Sequence, residues 1–416
     1  MSSRETILRL SPDCSPKLLE EPCVYNRATD DLYIVNPEAA DFLFLCARGA
    51  KAPRAPEADE FVSFCQEEGI LEETAGEDAL IPHLPAPGNR EPRLTQSPIP
   101  SLRYLLLHIT DRCNLRCGHC FIGEPGSTDL PLEKIMAVVD QFEEMQGLRL
   151  LVSGGEPLLH RQFRQLDDYL AARDLRTVLM SNGTLIDKKT AGVIKAQEVQ
   201  ISLDGMREAH DFIRGDGNFE RSTQAIRRLI DAGKQVSVAT MVHRGNLQDF
   251  EELAALLSEL GVREWAVDQP SPAGRLLPEA DRLRGSEGGN APAGSDSPQG
   301  TNIIVYPAIA GPYLNYSFGG AIHEPIPGYA CGAHLMAVMA DGRAARCGFF
   351  AGNPVGTIAE GLSSCWQKVR KMTMPELDCD CDFIEDCRGG CRFRAAGYNS
   401  PTGVDPCQCY RYGVAT

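Results

Sequence analysis

The stretch His108-Ile109-Thr110-Asp111-Arg112-Cys113-Asn114-Leu115-Arg116-Cys117-Gly118-His119-Cys120 runs from an apolar strand end into a short polar loop with three cysteines spaced C-x3-C-x2-C. Three thiolates on one tight loop can hold three irons of a cubane 4Fe-4S cluster and leave the fourth iron open for a substrate or cofactor. A structural zinc site is the competing reading. It takes four ligands, often as two C-x2-C pairs, and no second pair lies nearby in sequence.

Around this loop, residues 101–275 alternate strand and helix six times. Apolar runs at Leu102–Ile109, Leu148–Val152, Thr177–Met180, Val199–Leu203, Val236–Val242 and Glu264–Val267 read as buried parallel strands. Helical periodicity falls between them, as in Leu132, Ile135, Met136, Val139, Phe142, and in Phe250, Leu253, Leu256, Leu257, Leu260 with Gly261 as the stop. Repeated βα units predict an α/β fold with a parallel sheet, open or closed into a partial barrel.

Residues 1–90 read as a small α+β unit. Val24–Asn26 and Leu32–Asn36 flank polar turn residues as a hairpin does. Asn36 caps a helix opened by Pro37, with Ala40, Phe42, Leu43 and Leu45 as its apolar face. A second short helix is expected over Glu60–Glu68, ended by Gly69. Six prolines between Ile81 and Pro100 mark a semi-rigid linker. Residues 282–300 read as a mobile Gly/Ser/Pro/Ala-rich insertion. Residues 301–416 are rich in Gly, Pro and Cys, with too little apolar content to fold well without metal ligation.

Composition narrows the class. The formal charge of −16 argues against a nucleic-acid partner, since phosphate contacts need clustered Lys and Arg. No apolar run reaches membrane-spanning length, and Met1–Leu10 lacks an apolar signal core, so a cytoplasmic location without membrane contact is expected. Of 16 cysteines, none lies between Phe121 and Ala330 and nine crowd into Cys331–Cys409. In a reducing compartment such crowding reads as metal ligation. Cys14, Cys23, Cys46 and Cys65, scattered without ligand spacing, read as buried free thiols.

The cysteine loop resembles the signature of the radical S-adenosyl-L-methionine (SAM) superfamily, and the downstream strand ends resemble it too. Ser153-Gly154-Gly155-Glu156-Pro157, Ser181-Asn182-Gly183-Thr184 and Ser202-Leu203-Asp204-Gly205 each end a strand, where α/β barrels build their sites. Taken singly, these are common turn chemistry. The resemblance implies a partial (β/α)6 barrel whose Cys113, Cys117 and Cys120 hold a SAM-binding 4Fe-4S cluster. It implies SAM contacts at His119, Gly155, Glu156, Ser202 and Arg214, and a reaction that starts by hydrogen abstraction. Asp204, Asp268 and His243 are candidate bases by position only.

The later cysteines resemble the SPASM extension of peptide-modifying radical SAM enzymes, which carries auxiliary 4Fe-4S clusters. Cys379-x-Cys381 departs from that family's C-x2-C. By that resemblance Cys331, Cys347 and Cys391 bind a first auxiliary cluster, completed by Cys365 or left open. Cys379, Cys381, Cys387 and Cys409 bind a second, with Cys407 as an alternative to Cys409. A zinc-ribbon-like structural site is the rival reading.

Residues 1–90 resemble the winged-helix-like, PqqD-like domain that captures leader peptides as an added strand. Together these resemblances imply a maturase of a ribosomally synthesised precursor peptide, a thioether or related cross-link as product, and an electron donor such as ferredoxin or flavodoxin. A sulfatase-maturing or other protein-oxidising enzyme is the first competitor. A peptide-binding module with structural clusters is the second.

Overall fold

The computed structural model describes residues 7–47, 50–51, 56–74, 96–268, 271, 273–276, 332–398 and 400–414. The insertion expected at 282–300, most of the proline-rich linker and Cys331 lie outside the described residues.

The N-terminal unit comprises β1 (Ile7–Leu10), β2 (Cys14–Leu18), β3 (Pro22–Asn26), β4 (Asp31–Ile34), α1 (Pro37–Cys46), β5 (Ala50–Lys51), α2 (Pro56–Glu67) and β6 (Leu71–Thr74). β3 and β4 form the expected hairpin, extended by β2 into a three-stranded antiparallel sheet with β4 at an edge. β1 pairs with β5 and β6 in a second small sheet. Asn36 caps α1 as its position before proline requires, its Oδ1 accepting from the Ala39 amide at 2.8 Å. The buried face of α1 is Ala40, Leu43 and Cys46. Phe42 is only half-buried and Leu45 is exposed, because the helix turns Cys46 rather than Leu45 inward. α2 starts at Pro56, one turn before the expected Glu60. All four early cysteines are buried, and burial pushes the Cys14, Cys23 and Cys46 thiols up to about 12.

The second region forms β7 (Tyr104–His108), α3 (Leu132–Glu144), β8 (Arg149–Ser153), α4 (Phe163–Leu170), β9 (Arg176–Ser181), α5 (Lys188–Val193), β10 (Glu198–Ser202), α6 (Arg207–Arg214), α7 (Asn218–Asp231), β11 (Gln235–Met241), α8 (Phe250–Leu260) and β12 (Glu264–Asp268). β7 to β12 are parallel and neighbours in chain order, the arrangement of a partial barrel. The strands read as unbroken apolar runs because both faces are covered. Leu105, Leu107, Leu150, Val152 and Ile201 point to a core shared with Ile135, Val138 and Phe142 of α3. Leu106, Leu151 and Val178 point to the barrel interior. Each such fully buried side chain contributes roughly 1.5–3 kcal/mol.

The C-terminal region begins as more of the same sheet. β13 (Leu335–Val338) pairs in parallel with β7, followed by β14 (Arg343–Ala345) and β15 (Gly356–Thr357) antiparallel, giving nine strands. Met336, Val338, Leu362, Trp366 and Val369 enter the main core. The low apolar content of residues 301–416 is thus offset by packing on the barrel.

Candidate active site

The C-terminal ends of β7–β11 open into a cavity of about 300 Å3. Cys113, Cys117 and Cys120 line it, together with His119, Gly155, Ser202 and Arg214. Four sequence motifs and Arg214, scattered over about a hundred residues, are thereby gathered at one place by the parallel topology.

The cysteine loop is held by backbone. Gly155 and Glu156 amides donate to the Thr110 and Arg112 carbonyls, each at 2.8 Å. A Cβ on Gly154 would collide with the Thr110 carbonyl and one on Gly155 with the Arg112 carbonyl, and Gly154 also has φ +145°. Glycine is required here because the loop lies directly on the end of β8. From the other side the Gly118 amide donates to Ile213 O at 2.8 Å. The Arg275 amide reaches Cys120 O at 2.9 Å, and its Nη1 reaches Arg116 O at 2.7 Å. Arg275 carries no sequence signal; only its place after β12 brings it to the loop.

Arg214 joins the loop to β10. Its Nε donates to Asp204 Oδ2 at 2.5 Å, its Nη2 to His119 Nε2 at 3.3 Å, and its Nη1 lies 3.9 Å from Cys117 Sγ. Asp204 is fully buried. Burial alone would raise its carboxyl, but Arg214 and His119 outweigh this and hold it far below the usual carboxylate range. Burial lowers His119 to about 4, keeping the imidazole neutral. Nε2 also lies 3.4 Å from Asp204 Oδ2, and Nδ1 is buried without a partner among the described residues. That orphaned ring nitrogen, the glycine cradle and three thiols on one loop fit a cluster with a bound nucleoside-bearing ligand.

Three expectations change. Glu156 does not line the cavity. It is fully buried and accepts from Ser181 Oγ and the Asn182 amide, both at 2.9 Å, so it ties β8 to β9. His243 is not placed as a base. Its Nε2 sits 3.1 Å from Asp204 O and its Nδ1 accepts from the Gly245 amide at 3.2 Å, which consumes both ring nitrogens. Asp204 is committed to Arg214, whereas Asp268 does line the cavity.

The far wall comes from the C-terminal region: Cys347, Phe349, Phe350, Cys391, Arg392 and Phe393. Phe349 stacks on Phe393 with centroids 5.3 Å apart and meets Phe121 of the cysteine loop at 4.8 Å. Cys379, Cys381, Cys387 and Cys409 lie within electrostatic reach of one another, and Cys391 within reach of Cys347. Cys365 joins neither group. It is fully buried in the main core, its thiol donating to Thr357 O at 3.2 Å, which removes it as a completing ligand. Among the described residues no three His, Cys, Asp or Glu side chains converge at single-ion spacing. A cubane takes one thiolate per iron and so spaces its ligands more widely.

Residues 107–257 match the model of the radical SAM superfamily, and the chain therefore carries a radical SAM domain. That superfamily uses SAM and a 4Fe-4S cluster. The chain is 34% identical over 192 residues to the AdoMet-dependent heme synthase of Oleidesulfovibrio alaskensis, covering 44% of this chain and 50% of that protein. It is 28% identical over 317 residues to the mycofactocin maturase MftC of Mycolicibacterium smegmatis, covering 69% of this chain and 77% of that protein. It spans about half the length of the two heme synthases that it matches. The crystal structure of Streptococcus suis SuiB bound to precursor peptide SuiA has a similar fold, with TM-score 0.63 at 17% identity, covering 96% of this chain and all of that one. Among the described residues no helix is long and apolar enough to cross a membrane.

Proposed function

We propose that this protein is a radical SAM maturase of a ribosomally synthesised peptide, forming a thioether or related cross-link. The observation that carries the reading is a single cavity lined on one side by the Cys113/Cys117/Cys120 loop and on the other by Cys347 and Cys391. In this reading a substrate in that chamber lies between a SAM site and a second metal site.

In this reading Cys113, Cys117 and Cys120 hold the SAM-binding cluster. His119 Nδ1, Gly155, Ser202 and Arg214 hold SAM, while Glu156 fixes the strand ends around it. When bound, these groups supply one-electron chemistry that removes hydrogen from an unactivated C–H bond. The chain's own part is to orient and to exclude water. Phe121, Phe349 and Phe393 pack together and give the cavity an apolar wall.

The N-terminal unit suits a peptide partner. β4 is a free sheet edge among the described residues, and beside it a cavity of about 350 Å3 is lined by Tyr33, Ile34, Leu43, Phe61 and Phe64. Ile34 and Phe64 are exposed there. A leader adding to β4 would satisfy that edge and cover both side chains. The similarity to MftC, which extends beyond the barrel, favours the same class.

The similarity to the heme synthases supports a second reading, a tetrapyrrole substrate. The discriminating experiment is co-expression under low oxygen with the small peptide encoded beside this gene, followed by mass measurement. Loss of two hydrogens per cross-link is expected. An unchanged peptide, with SAM still cleaved by the purified enzyme, sinks the peptide reading and leaves the radical chemistry standing.

A further inference from the structure

The C-terminal thiols divide by depth. Cys409 is half-buried and lies with Cys379, Cys381 and Cys387, whereas Cys407 is fully buried. Both belong to the helix Pro406–Arg411. Residues two apart on a helix point to nearly opposite sides and do not share a face. One of the pair therefore serves the outer group, and the other is directed elsewhere.

Asp405 shows where. Its buried carboxylate divides its two oxygens between two cysteine backbones: Oδ2 accepts from the Cys391 amide at 2.7 Å and Oδ1 from the Cys407 amide at 3.1 Å. Arg394, 2% exposed, balances the charge from 2.9 Å. One carboxylate thus fixes Cys391 and Cys407 relative to each other. The Cys407 thiol lies within electrostatic reach of Cys391 and of Asp268, a residue of the cavity wall, and Cys391 reaches Cys347.

We propose that Cys407 is a ligand of the inner auxiliary cluster, acting with Cys347 and Cys391, and that the Asp405 carboxylate presets this pair. The inference rests on the auxiliary-cluster reading of the C-terminal cysteines. It gives Cys407 a site distinct from that of Cys409, to which sequence spacing makes it an alternative, and it fills the role that Cys365 is placed too deep in the main core to take. Asp405 is a positioning residue: its oxygens are spent on backbone amides and Arg394, and it acts through the two cysteines.

The test uses the full chain with Cys113, Cys117 and Cys120 all changed to Ala, reconstituted anaerobically with iron and sulfide. This parent retains only C-terminal clusters. Iron per chain and the EPR spectrum after dithionite reduction are compared for the parent and for added C407S, C409S and C365S. We expect C407S and C409S each to abolish or alter a different EPR signal, with iron falling toward half the parent's value in each. C365S should match the parent. Should C407S fail to fold by circular dichroism, C407A, which keeps the buried site apolar, is read in its place. A folded Cys407 variant with the parent's iron and both signals overturns the proposal. A parent holding no iron overturns instead the auxiliary-cluster reading on which it rests.

Discussion

At the scale of the residue, the site turns on one buried carboxylate. Asp204 Oδ1 accepts from the Met241 amide at 2.7 Å while Oδ2 takes Arg214, so it joins β10, β11 and α6 at the cavity wall. Replacing it with Ala would strand a guanidinium that is largely buried. Removing one partner of a buried pair costs about 3–5 kcal/mol. Asp204→Ala should therefore lower unfolding free energy by about that amount in denaturant titration, and a loss under 1 kcal/mol would show the pair to be solvent-like. Arg214→Lys keeps the charge but loses the fork that reaches Asp204, His119 and Cys117 together. SAM affinity by equilibrium dialysis should fall about tenfold or more with the melting temperature nearly unchanged. Spacing alone could mark Asp204 as a candidate base. It could not show the partner ten residues on that fixes it as a holder.

At the scale of the element, the decisive junction is β8 against the cysteine loop. Gly154→Ala inserts a methyl group into the Thr110 carbonyl at a backbone φ of +145° that L side chains rarely adopt. The loop must move, and displacing a reacting group by about 1 Å can cost 10²-fold in rate. SAM cleavage should drop about a hundredfold while far-UV circular dichroism stays the same; undiminished cleavage would mean the loop tolerates the shift. The six parallel strands were readable because burial on both strand faces leaves unbroken apolar runs, and the observed strands fall within about two residues of those runs. The second small sheet of the N-terminal unit, β1 with β5 and β6, was not. β5 is two residues long, and β1 finds its partners more than forty residues away, so no local pattern records the pairing. The grouping of Cys407 apart from Cys409 was hidden for the same reason: it depends on the Asp405 carboxylate and a helix turn, while the spacing C-x-C says only that the two are close.

At the scale of the whole molecule, the N-terminal unit plugs the barrel floor, the end opposite the cysteine loop. The turn after β3 offers its carbonyls to side chains at the strand starts: Arg176 donates to Arg27 O at 2.6 Å, Gln235 to Ala28 O at 3.1 Å and Arg263 to Thr29 O at 2.8 Å. Lys17, 3% exposed, pairs with Asp174 at 2.9 Å. Glu20 completes the seam, accepting from the Ser101 amide and from Arg103 Nη2, both at 2.6 Å. Arg176→Ala removes donors to two carbonyls and the cation paired with Glu198, which keeps only the Ser237 hydroxyl as a side-chain donor, and should cost about 3 kcal/mol in denaturant titration. Glu20 makes the seam sensitive to acid. Burial by itself would raise its carboxyl, but the Ser101 amide and Arg103 more than cancel that and lower it to about 2. Between its ordinary value of 4.5 and about 2 the unfolded chain binds the proton first, so stability from this group is full above the upper value and is lost as pH falls toward the lower. Glu20→Gln carries no such proton. At neutral pH the wild type should exceed it by roughly 2 kcal/mol, and by less at a pH near 3.5, where the unfolded chain already holds the proton. Denaturant midpoints of the two proteins at both pH values provide the check. A gap that stays constant on acidification would show that Glu20 holds the floor by shape and neutral hydrogen bonds, with its charge contributing nothing.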